Sequence, residues 1–505
     1  MIPVLSAEQT RIADNWTIEH EPIASLDLME RAAAACTGWI SAHYGRSTRF
    51  RILCGPGNNG GDGLAIARQL YQSGYDVTVD RISVNDRFRA DHLANFQRLQ
   101  PLLGADLREI RAEADFSGID PEVVLIDALF GSGLERPLSG LFRTVVERIN
   151  ASSAEIISID LPSGLPADGL MSDLVAVHAD STLCFQTPKR TFFFPETGEY
   201  AGRWVLLDIG VRTDHFPPGS IREYLFTRSD LLTHVGRRRR FAHKGDFGHG
   251  LLVAGSDGKI GAAILASRAA LRTGLGLLTT HVPEVGILPL QTAVPEAMVS
   301  RGGSAGFLER IPADLSRFDA IAVGPGLGME AESVTAFDGL LRSCKVPLVL
   351  DADGLNMLSK NQSLLDHVPA GTILTPHPGE FDRLFGSCPD TPQRIERAKA
   401  FTATSGCILI LKGGCTAVVL PSGEVRYNAN GNPGMAKGGS GDALTGVLLA
   451  LLCNGMPPEI AASAGVFLHA AAGDLAAEKY GERGLLPSDL IKTIPAVLRS
   501  LENGV

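Results

Sequence analysis

The sequence predicts two α/β domains in tandem, each a mainly parallel β-sheet wrapped by helices. Short apolar runs alternate with helix-period stretches through both halves, first from "RFRILC" (49–54) and again from "HGLLVAGS" (249–256). At 505 residues the chain exceeds the size at which a single core keeps growing. Between the two series, "VRTDHFPPGSIREY" (211–224) carries Pro-Pro-Gly and no apolar periodicity, which marks a boundary. The expected domains are 1–216 and 223–505.

In the first half, "RFRILC" reads as a strand, "LAIARQLYQSG" (64–74) as a helix and "YDVTVD" (75–80) as the next strand. "VVLID" (123–127) and "IISID" (156–160) are further strands, and each ends in aspartate. Ligands of open α/β sheets collect beyond the carboxyl ends of the strands, so Gly55 to Gly63, Asp127 and Asp160 are expected around one crevice. The second series continues through the helix "GAAILASRAALRTG" (261–274) and strands at 277–282, 320–326, 347–354 and 372–379. "CILILKGG" is another strand, "CTAVVLPSGEVRYN" a hairpin turning at Pro421-Ser422-Gly423, and two apolar helices follow near 442–453 and 459–478.

Composition narrows the function. Hydrophobic residues at 45% and charged residues at 20% are ordinary for a globular protein. A net charge of −10 argues against broad nucleic-acid binding, and "GRRRRF" (236–241) reads as a solvated linker face. The eight cysteines form no CxxC or CxxH pair, which fits a reducing cytoplasm. The start "MIPVLSAEQTRIADNWTIEH" lacks the order of a signal peptide, and no uncharged apolar run is long enough to suggest a membrane span. A cytoplasmic homo-oligomer acting on small molecules is expected. There is no internal repeat.

Three loops of the first half mix glycine with small polar residues. "GPGNNGGDG" (55–63) is neither GxGxxG nor a P-loop. Its glycines let amides approach a ligand, while Asn58, Asn59 and Asp62 offer oxygens suited to a hard cation or to ribose hydroxyls. "DALFGSGL" (127–134) and "DLPSG" (160–164) each follow a strand with an acid, a hydroxyl and glycine. In the second half "GGSGDALTG" (438–446) sets Asp442 at the start of an apolar helix. Open amides at a helix start attract phosphate, which a carboxylate repels. The combination makes sense if the amides hold a phosphoryl group while Asp442 takes a proton from the attacking hydroxyl. An acidic first-turn residue that only stabilises the helix is the alternative.

The set GPGNNGGDG, DALFGSGL and DLPSG, in that order and spacing, closely resembles the N-terminal domain of the NAD(P)H-hydrate repair enzymes. "HKGDFGHGLLVAGSDGKIGAA" (243–263), "GPGLG" (324–328), "DADGLN" (351–356), "TPHPGE" (375–380), "LKGGCT" (411–416) and "GNPGMAKGGSGD" (431–442) resemble the family's ADP/ATP-dependent dehydratase half, a relative of ribokinase-type kinases. "VAGS" and "DADGLN" stand where the family often has Gly-Gly-Ser and Asp-Ala-Asp-Ala-Leu-Asn. The resemblance implies a Rossmann-like three-layer domain followed by a ribokinase-like α/β domain. It implies epimerisation of the R and S hydrates of NADH and NADPH by the first, and dehydration of the S hydrate by the second, with ADP preferred over ATP.

By motif, Asn59, Asp127 and Ser163 would hold potassium. Asn58, Asn59, Gly60, Gly61, Asp62, Gly131, Ser132, Gly133, Leu134, Glu135, Arg136, Pro137 and Asp160 would surround the hydrate, with Asp127 and Asp160 as the proton-handling acids. Lys412, Gly413, Gly414, Cys415, Thr416 and Gly441 would hold the nucleotide with magnesium. Ala262, Gly326, His377 and Asp442 would face the hydrate, with Asp442 as general base. Phosphorylation would then serve elimination, because phosphate leaves far more readily than hydroxide. The competing reading is a ribokinase-like small-molecule kinase fused to a non-catalytic Rossmann-like scaffold.

Overall fold

The computed structural model describes residues 1–85, 87–304 and 306–502. It divides into two compact units, one of Pro3–Ile221 and one of Met1–Ile2 with Arg222–Val505.

The first unit is built on seven strands: β1 (Arg49–Cys54), β2 (Asp76–Ile82), β3 (Leu107–Ile110), β4 (Val124–Ala128), β5 (Glu155–Ile159), β6 (Ser181–Phe185) and β7 (Arg203–Leu207). Their order is β3-β2-β1-β4-β5-β6-β7, with every pairing parallel. Strand order reverses beside β1, so the crevice beyond β1 and β4 is where such a sheet binds ligands. Cys54 pairs with Ala128, and Asp127 with Ser158, so the three motif-bearing strand ends lie level. Helix α1 (Ala7–His20) opens with a Ser6–Gln9 capping box.

The helix expected at 64–74 begins six residues earlier, as α2 (Asn58–Gln72). Glycine makes this possible. A Cβ on Gly60 would fall 1.8 Å from the Gly55 carbonyl oxygen, and one on Gly55 would fall 1.9 Å from that of Leu129. Only bare backbone lets α2 start so close to the ends of β1 and β4.

The second unit holds β8 (Glu223–Leu225), β9 (His249–Val253), β10 (Leu277–Val282), β11 (Met298–Arg301), β12 (Ala320–Val323), β13 (Leu348–Leu350), β14 (Ile373–Leu374), β15 (Ile408–Leu411), β16 (Thr416–Val419) and β17 (Val425–Asn428). The order is β8-β17-β16-β15-β14-β13-β12-β9-β10-β11, and Ile2 extends the sheet beyond β8. β9 to β15 pair in parallel, and β16–β17 is the expected antiparallel hairpin. The strands expected at 347–354 and 372–379 are much shorter. The Asp351 amide still reaches the Val323 carbonyl at 3.1 Å, but the chain turns at Ala352 into a helix, and Pro376 and Pro378 supply no backbone donor.

Helices α3 (Ile260–Thr273), α5 (Ser440–Cys453) and α6 (Pro458–Tyr480) share one core through Ala266, Ala270, Val447, Leu448 and Leu468. Between α3 and α5 in chain order lies the short helix α4 (Pro378–Phe385). A Cβ on Gly446 would sit 2.1 Å from the Ala266 carbonyl oxygen, so glycine sets how closely α5 approaches α3. Helix α6 is long and apolar enough to cross a membrane, but 72% of its apolar window is buried inside the protein.

Candidate functional site

Each unit gathers its motifs at the carboxyl ends of its strands. In the first unit a cavity of about 970 Å³ is lined by Asn58, Asn59, Asp62, Gly131, Ser132, Gly133, Leu134, Glu135 and Asp160, all singled out from the sequence. Gly60, Gly61, Arg136, Pro137, Asp127 and Ser163 lie outside its walls.

Asp127 is fully buried, and all four hydrogen bonds to its carboxylate come from the protein. Oδ1 accepts from Ser163 Oγ at 2.6 Å and from the Leu129 amide at 3.2 Å. Oδ2 accepts from Ser158 Oγ at 2.8 Å and the Ser163 amide at 2.9 Å. Burial pushes this carboxyl above its ordinary range, against the pull of those donors. Asp127 therefore ties β4, β5 and the DLPSG turn together.

Asp160 is placed differently. Immediately past β5 it takes φ of +65°, a region non-glycine residues rarely occupy, and this strain is carried at the mouth of the crevice. Its Oδ1 lies 2.9 Å from Lys189 Nζ, a lysine only 1% exposed. Burial alone would pull the Lys189 ammonium down, but the charge and hydrogen bond of Asp160 together with the charges of Cys184 and Asp14 outweigh this and its pKa is raised. Lys189 was not anticipated, since it lies in the loop after a strand, β6, that the sequence pattern did not reveal. Asn59 Nδ2 is buried without a hydrogen-bond partner, and Gly131 stands beside it: a Cβ there would be 3.4 Å from both Asn59 Cγ and Asp160 Oδ2.

In the second unit the centre is Asp351, 2% exposed at the end of β13. Its Oδ1 accepts from Lys412 Nζ at 2.8 Å and Thr375 Oγ1 at 2.7 Å, and its Oδ2 from Thr445 Oγ1 at 2.8 Å. Burial would raise this carboxyl, but Lys412 and the two hydroxyls hold it below its ordinary range. The next residue, Ala352, takes φ of +47°, turning the chain straight into a helix.

The first turn of α5 adjoins this network. Gly439 has φ of +100°, and a Cβ on Gly441 would lie 3.4 Å from Lys412 Nζ. Asp442 is half-buried there. Burial first, then the charges of Asp351 and Asp353, lift its carboxyl to about 6 against the attraction of Lys412. That value suits a proton acceptor working near neutrality.

The remaining residues join the same site. Glu380 Oε2 lies 3.7 Å from Lys412 Nζ and accepts from the His377 amide at 2.9 Å. The His377 ring caps α4, with Nδ1 accepting from the amides of Gly379 and Glu380. Asp353 accepts from the Gly328 amide at 2.9 Å and faces Lys259 at 3.6 Å. A Cβ on Gly326 would come 3.2 Å from that of Ala262, so these two are neighbours. Thr416 Oγ1 donates to the Gly413 carbonyl at 3.3 Å, closing the LKGGCT turn. Burial lifts the Cys415 thiol to about 11. Asp351, Thr375, Glu380 and Thr445 were not singled out from the sequence, although all four stand inside quoted motifs.

Residues 25–191 match the family model described as YjeF-related protein N-terminus, and residues 250–496 the model described as NAD(P)H-hydrate dehydratase. The bifunctional NAD(P)H-hydrate repair enzyme Nnr of Moorella thermoacetica is 37% identical over 528 residues, covering 100% of this chain and 98% of its own. That of Thermofilum pendens is 34% identical, covering 99% and 96%. A solved structure, the ADP/ATP-dependent NAD(P)H-hydrate dehydratase from Bacillus subtilis co-crystallized with ATP and Mg2+, is 34% identical. It covers 55% of this chain and 99% of its own, with a TM-score of 0.49.

Proposed function

The chain belongs to the family of bifunctional NAD(P)H-hydrate repair enzymes, and from that premise we propose how its units divide the work. It interconverts the R and S hydrates of NADH and NADPH and returns the S hydrate to the reduced cofactor in an ADP- or ATP-dependent step. We assign epimerisation to a domain of residues 1–216 and dehydration to one of residues 223–505.

The observation that carries the dehydratase reading is the meeting of Lys412, Gly441 and Asp442 at the start of α5, beside the buried Asp351. The Ser440 amide is taken up by the Lys437 carbonyl at 3.2 Å, so the amides of Gly439 and Gly441 and the Lys412 charge receive the transferring phosphoryl. Asp442 takes the proton from the hydrate hydroxyl, whose oxygen then bonds to phosphorus. The ring nitrogen's electrons expel the phosphate, and loss of a proton from the adjacent ring carbon to solvent returns the electrons to nitrogen and restores the ring double bond. Lys412 to Thr416 hold the nucleotide, and Ala262, Gly326 and His377 the hydrate. ADP is the preferred donor, leaving AMP and phosphate.

Magnesium fits this site through the nucleotide, since it keeps phosphate and water ligands and few from protein. Glu380, buried beside Lys412, is the acid that would hold it, and bound there it offsets phosphate charge. In the first unit Asp127, Ser163 and the Phe130 carbonyl, 3.1 Å from Ser163 Oγ, form an all-oxygen set with one formal charge. With the amide oxygen of Asn59 it suits a monovalent ion, and potassium there would fix the loops around the hydrate. Asp160 and the surrounding loop residues hold the hydrate itself. None of the eight cysteines forms a disulfide, in keeping with a cytoplasmic protein, and the reading includes self-association without nucleic-acid partners.

Purified protein incubated with mixed epimers and ADP is expected to regenerate NADH from both, releasing free phosphate. Recovery that stops at the S share, or a stable phosphorylated product, would overturn this reading.

A further inference from the structure

Helix α1 carries nothing that the dehydration chemistry or the loop motifs use, yet one of its faces forms part of the first unit's cavity. Thr10 and Asp14, one turn apart, both line it together with Asp160 and Lys189. Among the described residues Thr10 Oγ1 and Asn59 Nδ2 have no hydrogen-bond partner. Asp14 brings a carboxyl group from α1 to a cavity whose other walls carry the Asp160–Lys189 pair, so acids reach the cavity from two separate elements.

We propose that Asp14 is a further catalytic residue of the epimerisation, acting from α1 as acid–base partner to Asp160, and that Lys189 positions Asp160 as its counter-charge. The proposal rests on the epimerase reading above. The hydrated carbon bears a hydroxyl and is bonded to the ring nitrogen. Asp14, protonated, gives its proton to that hydroxyl. The carbon–oxygen bond breaks, water leaves with the bond pair, and the nitrogen lone pair forms a carbon–nitrogen double bond. Water then adds to the other face, the electrons return to nitrogen, and the proton lost by the attacking water goes to the Asp160 carboxylate. One proton passes from Asp14 to Asp160, nothing is oxidised or reduced, and the opposite conversion runs the sequence backward.

The electrostatics agree with this division. Burial lifts the Asp14 carboxyl from 3.8 to about 6, with Lys189 opposing and Asp160 adding to the rise. Lys189, Arg89, Asp160, Asp62, Glu135 and Asp168 line the cavity around it from other elements, and Glu8 and Arg11 from its own helix. Asp160 instead has the Lys189 ammonium at 2.9 Å.

The test uses the full chain without ADP, so that dehydration is idle, and follows interconversion of the epimers by chromatography above the spontaneous rate. Asp14→Asn is expected to slow epimerisation by about 100-fold or more. Dehydration of pure S hydrate by the same chain with ADP should stay within about twofold, which reports the second unit, and unchanged resistance of residues 3–221 to proteolysis reports folding of the first. Wild-type epimerisation should fall as pH rises through about 6, where Asp14 loses its proton, and Asp14→Asn should remove that dependence. Asp14→Glu should recover part of the rate, and Lys189→Met should lower kcat more than it raises KM. An active wild type with Asp14→Asn within threefold of it overturns the proposal alone. A wild type no faster than the spontaneous reaction overturns the epimerase reading as well. If Asp14→Asn does not fold, a flat wild-type profile between pH 5 and 7 is the overturning result.

Discussion

Replacing Asp442 by asparagine keeps the size of the side chain and a hydrogen-bonding oxygen in the first turn of α5, but removes the proton acceptor. Loss of a general base typically costs 100- to 10,000-fold in rate, or about 3–5 kcal/mol of barrier. Stability should move the other way. Burial and the neighbouring Asp351 charge raise this carboxyl from 3.8 to about 6. Its ionised form is therefore disfavoured in the folded protein. The penalty is absent below about pH 4, grows as pH rises, and is complete above pH 6. At 1.36 kcal/mol per pKa unit it amounts to about 3 kcal/mol at most.

Asp442→Asn is thus expected to be nearly inactive in dehydration, yet as stable as the parent or more so at about pH 7.5, with the advantage fading at about pH 4. The assay pairs regeneration of NADH from S hydrate and ADP with urea denaturation at both pH values. The parent's rate should climb with pH through about 6 and then level off, because Asp442 must be ionised to accept a proton. A variant that dehydrates within threefold of the parent would reduce Asp442 to a helix-start residue and refute the mechanism.

Lys412→Met should strand the buried Asp351 carboxylate, costing about 3–5 kcal/mol in the denaturation of the second unit along with nucleotide binding. A stable variant that still binds ADP would contradict this. Gly60→Ala should destabilise the first unit by about 3 kcal/mol or more, because its methyl has no place beside the Gly55 carbonyl, and epimerisation and resistance to proteolysis within that unit report it. Fragments 3–221 and 222–505 should each retain one activity. The second should melt lower than the same unit in the full chain, since it lacks the strand contributed by Ile2; loss of folding in both fragments would show that the units share a core.

The strand-end aspartates were legible because a parallel sheet converts a sequence pattern into a common edge, so motifs dozens of residues apart were assigned to one crevice. The start of α5 was legible because glycines and an acid before an apolar run have few uses. What the sequence hid follows from where the chain turns and what tertiary packing buries. β13 is short because the chain turns at Ala352 into a helix, and β14 because Pro376 and Pro378 supply no backbone donor. Lys189 reads as a surface lysine until folding buries it beside Asp160, and Asp14 reads as the solvated face of an ordinary helix. The division between Asp127 and Asp160 was equally hidden: both end strands, and only the packed structure shows Asp127 outside the cavity walls, accepting from four protein donors, while Asp160 faces the cavity.

Seven of the eight cysteines are buried, and the eighth, Cys415, sits in the LKGGCT turn proposed to hold the nucleotide, its thiol pushed up to about 11 by burial. At neutral pH only about one such thiol in 10,000 is the reactive thiolate, against a few per cent for an ordinary cysteine. The turn is therefore chemically quiet. A protein whose substrates are damaged redox cofactors thus keeps its one partly accessible thiol protonated in the turn proposed to hold the nucleotide, so peroxides and thiol-directed electrophiles should leave dehydration intact long after they have modified an ordinary exposed thiol.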